Sequence, residues 1–267
     1  MNRLDSTFSA LAAQGRKALV GFLTAGDPDA DTSFAIIREA CAAGLDVVEL
    51  GVPFSDPTSD GPVIQRASQR ALKTGASLSR TIELAARLRR ETATPIVLFS
   101  YYNPVFKLGL QRTAEAAAAA GVDGMLVVDL PPEEAGPLAA ALKPFDIHLI
   151  RLVAPTTTPE RLRKLADGAG GFLYLVTRLG VTGVGGLDVE AVKRHAADVR
   201  ASVSLPVCLG FGISSGDDAA AFAPLADGII VGSAFVSLIE KNASTPEKLP
   251  AIVAEKVREL RAGCHRP

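Results

Sequence analysis

Two carboxylates, Glu49 and Asp60, flank a proline-rich loop, Pro53-Phe54-Ser55-Asp56-Pro57-Thr58-Ser59-Asp60-Gly61-Pro62. Glu49 lies inside the apolar run Val47-Val48-Glu49-Leu50-Gly51. If that run is a strand, Glu49 shares a face with Val47 and Gly51, opposite Val48 and Leu50. A carboxylate in an apolar well is desolvated, so its pKa rises and it can donate and accept protons near neutral pH. The alternative is a structural carboxylate paired with a lysine or arginine. Asp56 before Pro57 reads equally as a turn-former, and Asp60, just ahead of a helix start, as an N-cap. A mobile loop that carries a second carboxylate over Glu49 would also close a site.

The second constellation suits a phosphate. Gly180-Val181-Thr182-Gly183, Gly210-Phe211-Gly212-Ile213-Ser214 and Gly232-Ser233-Ala234 each follow an apolar run. Glycines let backbone N–H groups approach an anion, and a helix start at Ser233 adds a favourable dipole. A single GxG is commonly a turn, but three glycine loops at consecutive strand ends are more specific. Other chemistries lack their residues. His148, His195 and His265 have no metal-ligand spacing, so no metal site is expected. No lysine falls at the C-terminal end of a candidate strand (Lys17 stands at a strand start), which removes a Schiff-base nucleophile. Neither a GxSxG elbow nor a Walker loop is present. Carboxylate acid–base chemistry on a phosphorylated small molecule remains.

These residues need elements to position them. Candidate strands cover 18–23, 47–50, 96–99, 124–128, 147–152, 172–176, 206–209 and 228–231, each apolar without polar alternation, as in strands buried on both faces. Helical stripes lie between them, such as Phe34, Ile37 and Cys41, or Leu78, Ile82, Ala85 and Leu88. Thr158 before Pro159, and Pro62 after Asp60-Gly61, mark helix starts. Strands alternating with helices imply a parallel sheet. Eight such units predict an α/β fold, a (β/α)8 TIM barrel in one domain over 1–267, with an open doubly wound sheet as the alternative. Two helices are extra. Leu4, Phe8 and Leu11 predict one before the first strand, covering the lower end of the barrel. The other runs over 246–261, with Thr245 as N-cap and Leu249, Val253, Val257 and Leu260 facing inward.

Composition narrows the partners. Charge is balanced, with 28 basic and 29 acidic residues, and aromatics make up 5%. Without a basic stripe or stacking platforms, a nucleic-acid surface is not expected. Cys41, Cys208 and Cys264 form no CxxC pair, which suits free thiols in a reducing compartment. The N-terminus has no signal-peptide core, and no run reaches the roughly 18 apolar residues of a membrane span. The expectation is a soluble, cytoplasmic protein.

The motif Glu49-Leu50-Gly51-Val52-Pro53-Phe54-Ser55-Asp56-Pro57, followed by Asp60-Gly61-Pro62, resembles the signature of the tryptophan synthase α subunit family. Thr24-Ala25-Gly26-Asp27-Pro28, Tyr101-Tyr102-Asn103-Pro104, Asp129-Leu130-Pro131-Pro132 and the three glycine loops extend the resemblance along most of the chain. The resemblance implies a lyase of L-tryptophan biosynthesis that splits indole-3-glycerol phosphate into indole and glyceraldehyde 3-phosphate. Glu49 and Asp60 would be catalytic. Phe22, Leu126, Phe211, Ile230, Tyr174 and Thr182 would form the substrate pocket, although barrel packing alone would also explain the apolar ones. Gly183, Gly212, Gly232 and Ser233 would cradle the phosphate. The resemblance further implies an α2β2 heterotetramer in which the β subunit, and not this chain, carries pyridoxal phosphate. Pro53, Asp56, Asn103, Asp129 and the 180–183 loop would face β. Gly21, Thr58-Ser59 and Arg178-Leu179 depart from the usual pattern. The alternatives are a stand-alone indole-glycerol phosphate lyase, a non-catalytic activator of β, and another phosphate-binding barrel that uses a strand-end lysine.

Overall fold

The computed structural model describes residues 1–176, 189–210 and 212–265. Thr182, Gly183 and Phe211, with Arg178-Leu179, lie outside them. The eight expected strands are all present: β1 (Ala18–Thr24), β2 (Val47–Gly51), β3 (Ile96–Ser100), β4 (Gly124–Val127), β5 (His148–Val153), β6 (Leu173–Val176), β7 (Val207–Gly210) and β8 (Gly228–Val231). Each pairs in parallel with the next, and β8 returns to β1, so the sheet closes and the open alternative falls.

Twelve α-helices are described. α1 (Arg3–Ala13) precedes the barrel, and α2 (Ala30–Ala42) joins β1 to β2. Between β2 and β3 stand α3 (Pro62–Lys73) and α4 (Leu78–Arg89), and between β3 and β4 stand α5 (Tyr102–Leu108) and α6 (Leu110–Ala119). α7 (Gly136–Leu142), α8 (Pro159–Asp167), α9 (Val189–Ser202) and α10 (Gly216–Phe222) follow β4, β5, β6 and β7. α11 (Ser233–Lys241) and α12 (Leu249–Cys264) complete the chain after β8. No helix among the described residues is long and apolar enough to cross a membrane. All three cysteines are buried free thiols.

Strand alternation divides the core in two. Leu19, Leu23, Val48, Leu50, Ile96, Leu98, Met125 and Val127 point outward and pack under the helices. Val20, Val47, Val97, Leu126, Ile150, Phe172 and Cys208 fill the barrel interior, as the packed layers of such a barrel require. Leu4, Phe8 and Leu11 of α1 plug its lower end, with the Phe8 and Phe172 rings 5.6 Å apart. Asn2 caps α1 through its side-chain oxygen and donates its amide to the carbonyl of Asp123, fixing the plug to the barrel floor.

Two expected caps are corrected. Pro246–Lys248 is a 3-10 turn, and the last helix starts only at Leu249 and runs past 261 to Cys264. Thr245 makes no side-chain cap; its hydroxyl donates back to the carbonyl of Asn242 instead. Leu249, Val253, Val257 and Leu260 are nevertheless all buried. Asp60 is not the cap of α3 either. Gly61 occupies that position without a side-chain bond, Pro62 opens the helix, and the Asp60 carboxyl is left for other work.

Candidate active site

Glu49 projects into the barrel from β2, level with Phe22 on β1 and Val97 on β3. It is 0% exposed, and neither carboxyl oxygen has a hydrogen-bond partner. The alternative of a structural ion pair therefore finds no support among the described residues. Burial alone pushes its pKa up to about 8, so the carboxyl holds its proton at neutral pH.

Above Glu49 a cavity of about 610 Å³ opens at the C-terminal ends of the strands, the end at which such barrels carry their sites. Phe22, Phe99, Val128, Leu152, Tyr174, Val176 and Ile230 form apolar walls. Phe22 and Phe99 meet edge to face, with ring centres 5.1 Å apart. Two glycines keep the room open. A Cβ on Gly51 would stand 2.4 Å from the Phe22 ring, and one on Gly210 would stand 2.2 Å from the Tyr174 ring.

Residues 58–64 form one rim and bring Asp60 to the cavity. The loop rests on Tyr101: the Phe54 ring stacks on it at 5.1 Å, and its hydroxyl accepts the Ser59 N–H at 2.9 Å. Burial raises the pKa of Asp60 to about 6, and the Tyr101 hydroxyl holds it from going higher. Burial and the Asp60 charge in turn push Tyr101 up to about 12. Tyr174 is raised by burial and by the negative charge of Glu49 and Asp60, so it stays a neutral hydroxyl. Thr58 and Ser59, which depart from the usual pattern, both line this rim.

Gly210, Gly212, Ile213, Gly232 and Ser233 form the opposite rim. α11 starts there without a side-chain cap among the described residues, which puts the positive end of its dipole at this rim. The neighbouring α10 is different, since Asp218 and Ser215 form a closed capping box over its start. Among the described residues no lysine or arginine lines the cavity, so the anion-binding groups they offer are backbone donors and a helix dipole.

The cavity thus gathers Asp60, Phe22, Tyr174, Ile230, Gly212, Gly232 and Ser233, with Glu49 beneath them. Leu126 does not line it. That side chain lies one inward position lower on β4, packed among Val97 and Ile150, and Val128 takes the wall. Phe99, Val128, Leu152 and Val176 were missed, although each continues the period-2 alternation of an inward-facing residue. Tyr101 belongs to the motif Tyr101-Tyr102-Asn103-Pro104, but nothing in Tyr101-Tyr102 tells which ring turns in. Pro53 is buried, Asp56 and Asn103 are exposed, and exposed Asp129 accepts the Tyr102 N–H at 2.7 Å. Gly21 points outward, and Leu45 occupies the space that a larger residue there would need.

The model of the family described as tryptophan synthase alpha chain matches residues 8–265. A tryptophan synthase alpha chain from Desulfosudis oleivorans is 53% identical over 262 residues, covering 98% of both chains. One from Alkalilimnicola ehrlichii is 49% identical over 98% of this chain and 96% of its own. The solved tryptophan synthase subunit alpha of Legionella pneumophila superposes with a TM-score of 0.92 at 33% identity, covering 99% of this chain and 98% of that one. A Mycobacterium tuberculosis tryptophan synthase chain gives 0.90 at 36% identity, covering 100% and 99%. With sequence and barrel matched from end to end, this chain belongs to the tryptophan synthase alpha chain family.

Proposed function

We propose that this chain is a lyase that cleaves indole-3-glycerol phosphate to indole and glyceraldehyde 3-phosphate, with Glu49 and Asp60 as its acid–base pair. The observation that carries the reading is Glu49, a buried carboxyl without a hydrogen-bond partner among the described residues, beneath a cavity rimmed by a second carboxylate. The apolar walls suit the flat indole ring, and the start of α11 with Gly212 and Gly232 suits the phosphate.

Glu49 enters the reaction protonated. It delivers that proton to the ring carbon bearing the glycerol chain, and the electron pair of the ring double bond forms the new C–H bond. Positive charge then develops at the ring nitrogen, where the ionised Asp60 accepts the N–H and stabilises it. Glu49, now a carboxylate, takes the proton of the adjacent chain hydroxyl. The carbon–carbon bond breaks, its electron pair restores the ring double bond, and the hydroxyl carbon leaves as the aldehyde of glyceraldehyde 3-phosphate. Each carboxyl ends in its starting state.

The chain works with a β subunit, forming an α2β2 assembly in the cytoplasm, and pyridoxal phosphate resides on β. Pro53, Asp56, Asn103 and Asp129 follow β2, β3 and β4 at the cavity end and suit that contact. The family resemblance assigns Gly183 to the phosphate cradle and Thr182 and Phe211 to the pocket; all three lie outside the described residues.

The test is the pH dependence of kcat/KM for indole release. Asp60 must be ionised and Glu49 protonated, so the rate rises through about pH 6 and falls through about pH 8. Glu49→Gln lowers kcat by about 10²–10⁴-fold, and Asp60→Asn abolishes the acidic limb. A Glu49→Gln variant within a few-fold of the native rate would overturn the assignment.

A further inference from the structure

Asp27, Arg70, Glu240 and Arg66 form a continuous chain of charges behind the cavity. The Asp27 side chain is fully buried, and Arg70 grips both of its oxygens through Nε and Nη2 at 2.8 Å each. The remaining Nη1 of Arg70 reaches Glu240 at 2.8 Å, and Arg66 holds the two oxygens of Glu240 at 2.7 Å each. A planar guanidinium bonded through all three of its nitrogens fixes orientation as well as distance.

The chain joins the loop after β1, which carries Asp27, to two helices. Arg66 and Arg70 lie one turn apart on α3, whose first residue, Pro62, comes two places after Asp60. Glu240 lies in the last turn of α11, whose first residue is Ser233. The two helices therefore present the opposite rims of the cavity, Asp60 on one and the uncapped helix start on the other. Under the charges, Phe22, Ala67 and Val236 pack with Val63, Ile64 and Phe99, tying the same helices to the cavity wall.

We propose that Arg70 is a positioning residue for the reaction, locking α3 to α11 through Asp27 and Glu240 so that Asp60 and the phosphate-binding helix start keep a fixed separation. It touches neither substrate nor cavity, and it acts through the two helices. This rests on the reading of Asp60 and Ser233 given above. A similarly buried pair, Arg89–Asp123, sits at the floor of the barrel and serves as the comparison for a role in stability alone.

Arg70→Met, Arg70→Lys, Glu240→Ala and Arg89→Met are compared with the native chain by Tm, by kcat and KM for indole release, and by calorimetric titration with inorganic phosphate. Arg70→Met is expected to lower kcat/KM by roughly ten- to a hundred-fold, the scale of an ångström's misplacement, and to weaken phosphate binding several-fold. Glu240→Ala frees α11 alone, so KM and phosphate affinity suffer more than kcat. Arg70→Lys keeps the charge without the fork and falls between native and Arg70→Met; it also stands in if Arg70→Met does not fold. Arg89→Met lowers Tm and leaves KM and phosphate affinity unchanged. If the Arg70 and Glu240 variants lose only Tm, as Arg89→Met does, the proposal is overturned. Phosphate titration needs no turnover, so absence of indole release from the native chain would sink the proposed reaction while the positioning test still reads.

Discussion

Glu49 sits where a carboxylate is expensive to ionise. No donor among the described residues compensates the lost hydration, so the folded chain keeps the Glu49 proton to about pH 8, whereas the unfolded chain releases it near 4.5. Between those values the folded state binds more protons than the unfolded one, so its stability falls as pH rises, levelling off above about 8. Glu49→Gln removes this titration. The Tm of the variant relative to the native chain is therefore expected to climb between pH 5 and pH 9, by something on the order of 5 °C. Any constant cost of burying the amide cancels in that comparison. A Tm difference equal at both pH values would mean that Glu49 is not held protonated. The same desolvation that destabilises the fold supplies the acid the reaction needs.

At the scale of the element, the 53–60 loop is aimed by one ring. Tyr101 stacks under Phe54, accepts the Ser59 N–H and moderates the pKa of Asp60. Tyr101→Phe keeps the stacking and removes the hydroxyl. The acidic limb of kcat/KM should then move above pH 6, because Asp60 loses the group that holds its pKa down. The rate should drop by roughly tenfold, the worth of about one hydrogen bond. An unmoved limb and an unchanged rate would show that the hydroxyl does not serve Asp60. The elements themselves were legible to within two residues for every strand, because continuous apolar runs mark strands buried on both faces. Their ends were less so. The helix over 246–261 begins late because 246–248 form a 3-10 turn, which a pattern of inward leucines and valines does not reveal. Alternation also told which face a residue takes but not its height in the barrel. Leu126 and Val128 share a face, yet only Val128 reaches the cavity, since staggered strands set the level of each side chain.

Across the whole molecule, the barrel separates support from chemistry. α1 and the Asp123 ion pairs close one end, while the other end holds the cavity, both carboxylates and an uncapped helix start. That polarity was readable in advance, because a carboxylate near the end of one strand and glycine loops after others point to the same end of a parallel barrel. That Glu49 has no hydrogen-bond partner among the described residues was not readable, since it depends on what seven other strands bring to the interior. Nor was the link from Asp27 to Glu240, which joins residues far apart in sequence. The most direct test of the proposed reaction is indole release from indole-3-glycerol phosphate by the purified chain, alone and with a tryptophan synthase β subunit added. Indole and glyceraldehyde 3-phosphate are expected in equal amounts, formed slowly by the chain alone and faster with β. No indole under either condition would contradict that reaction.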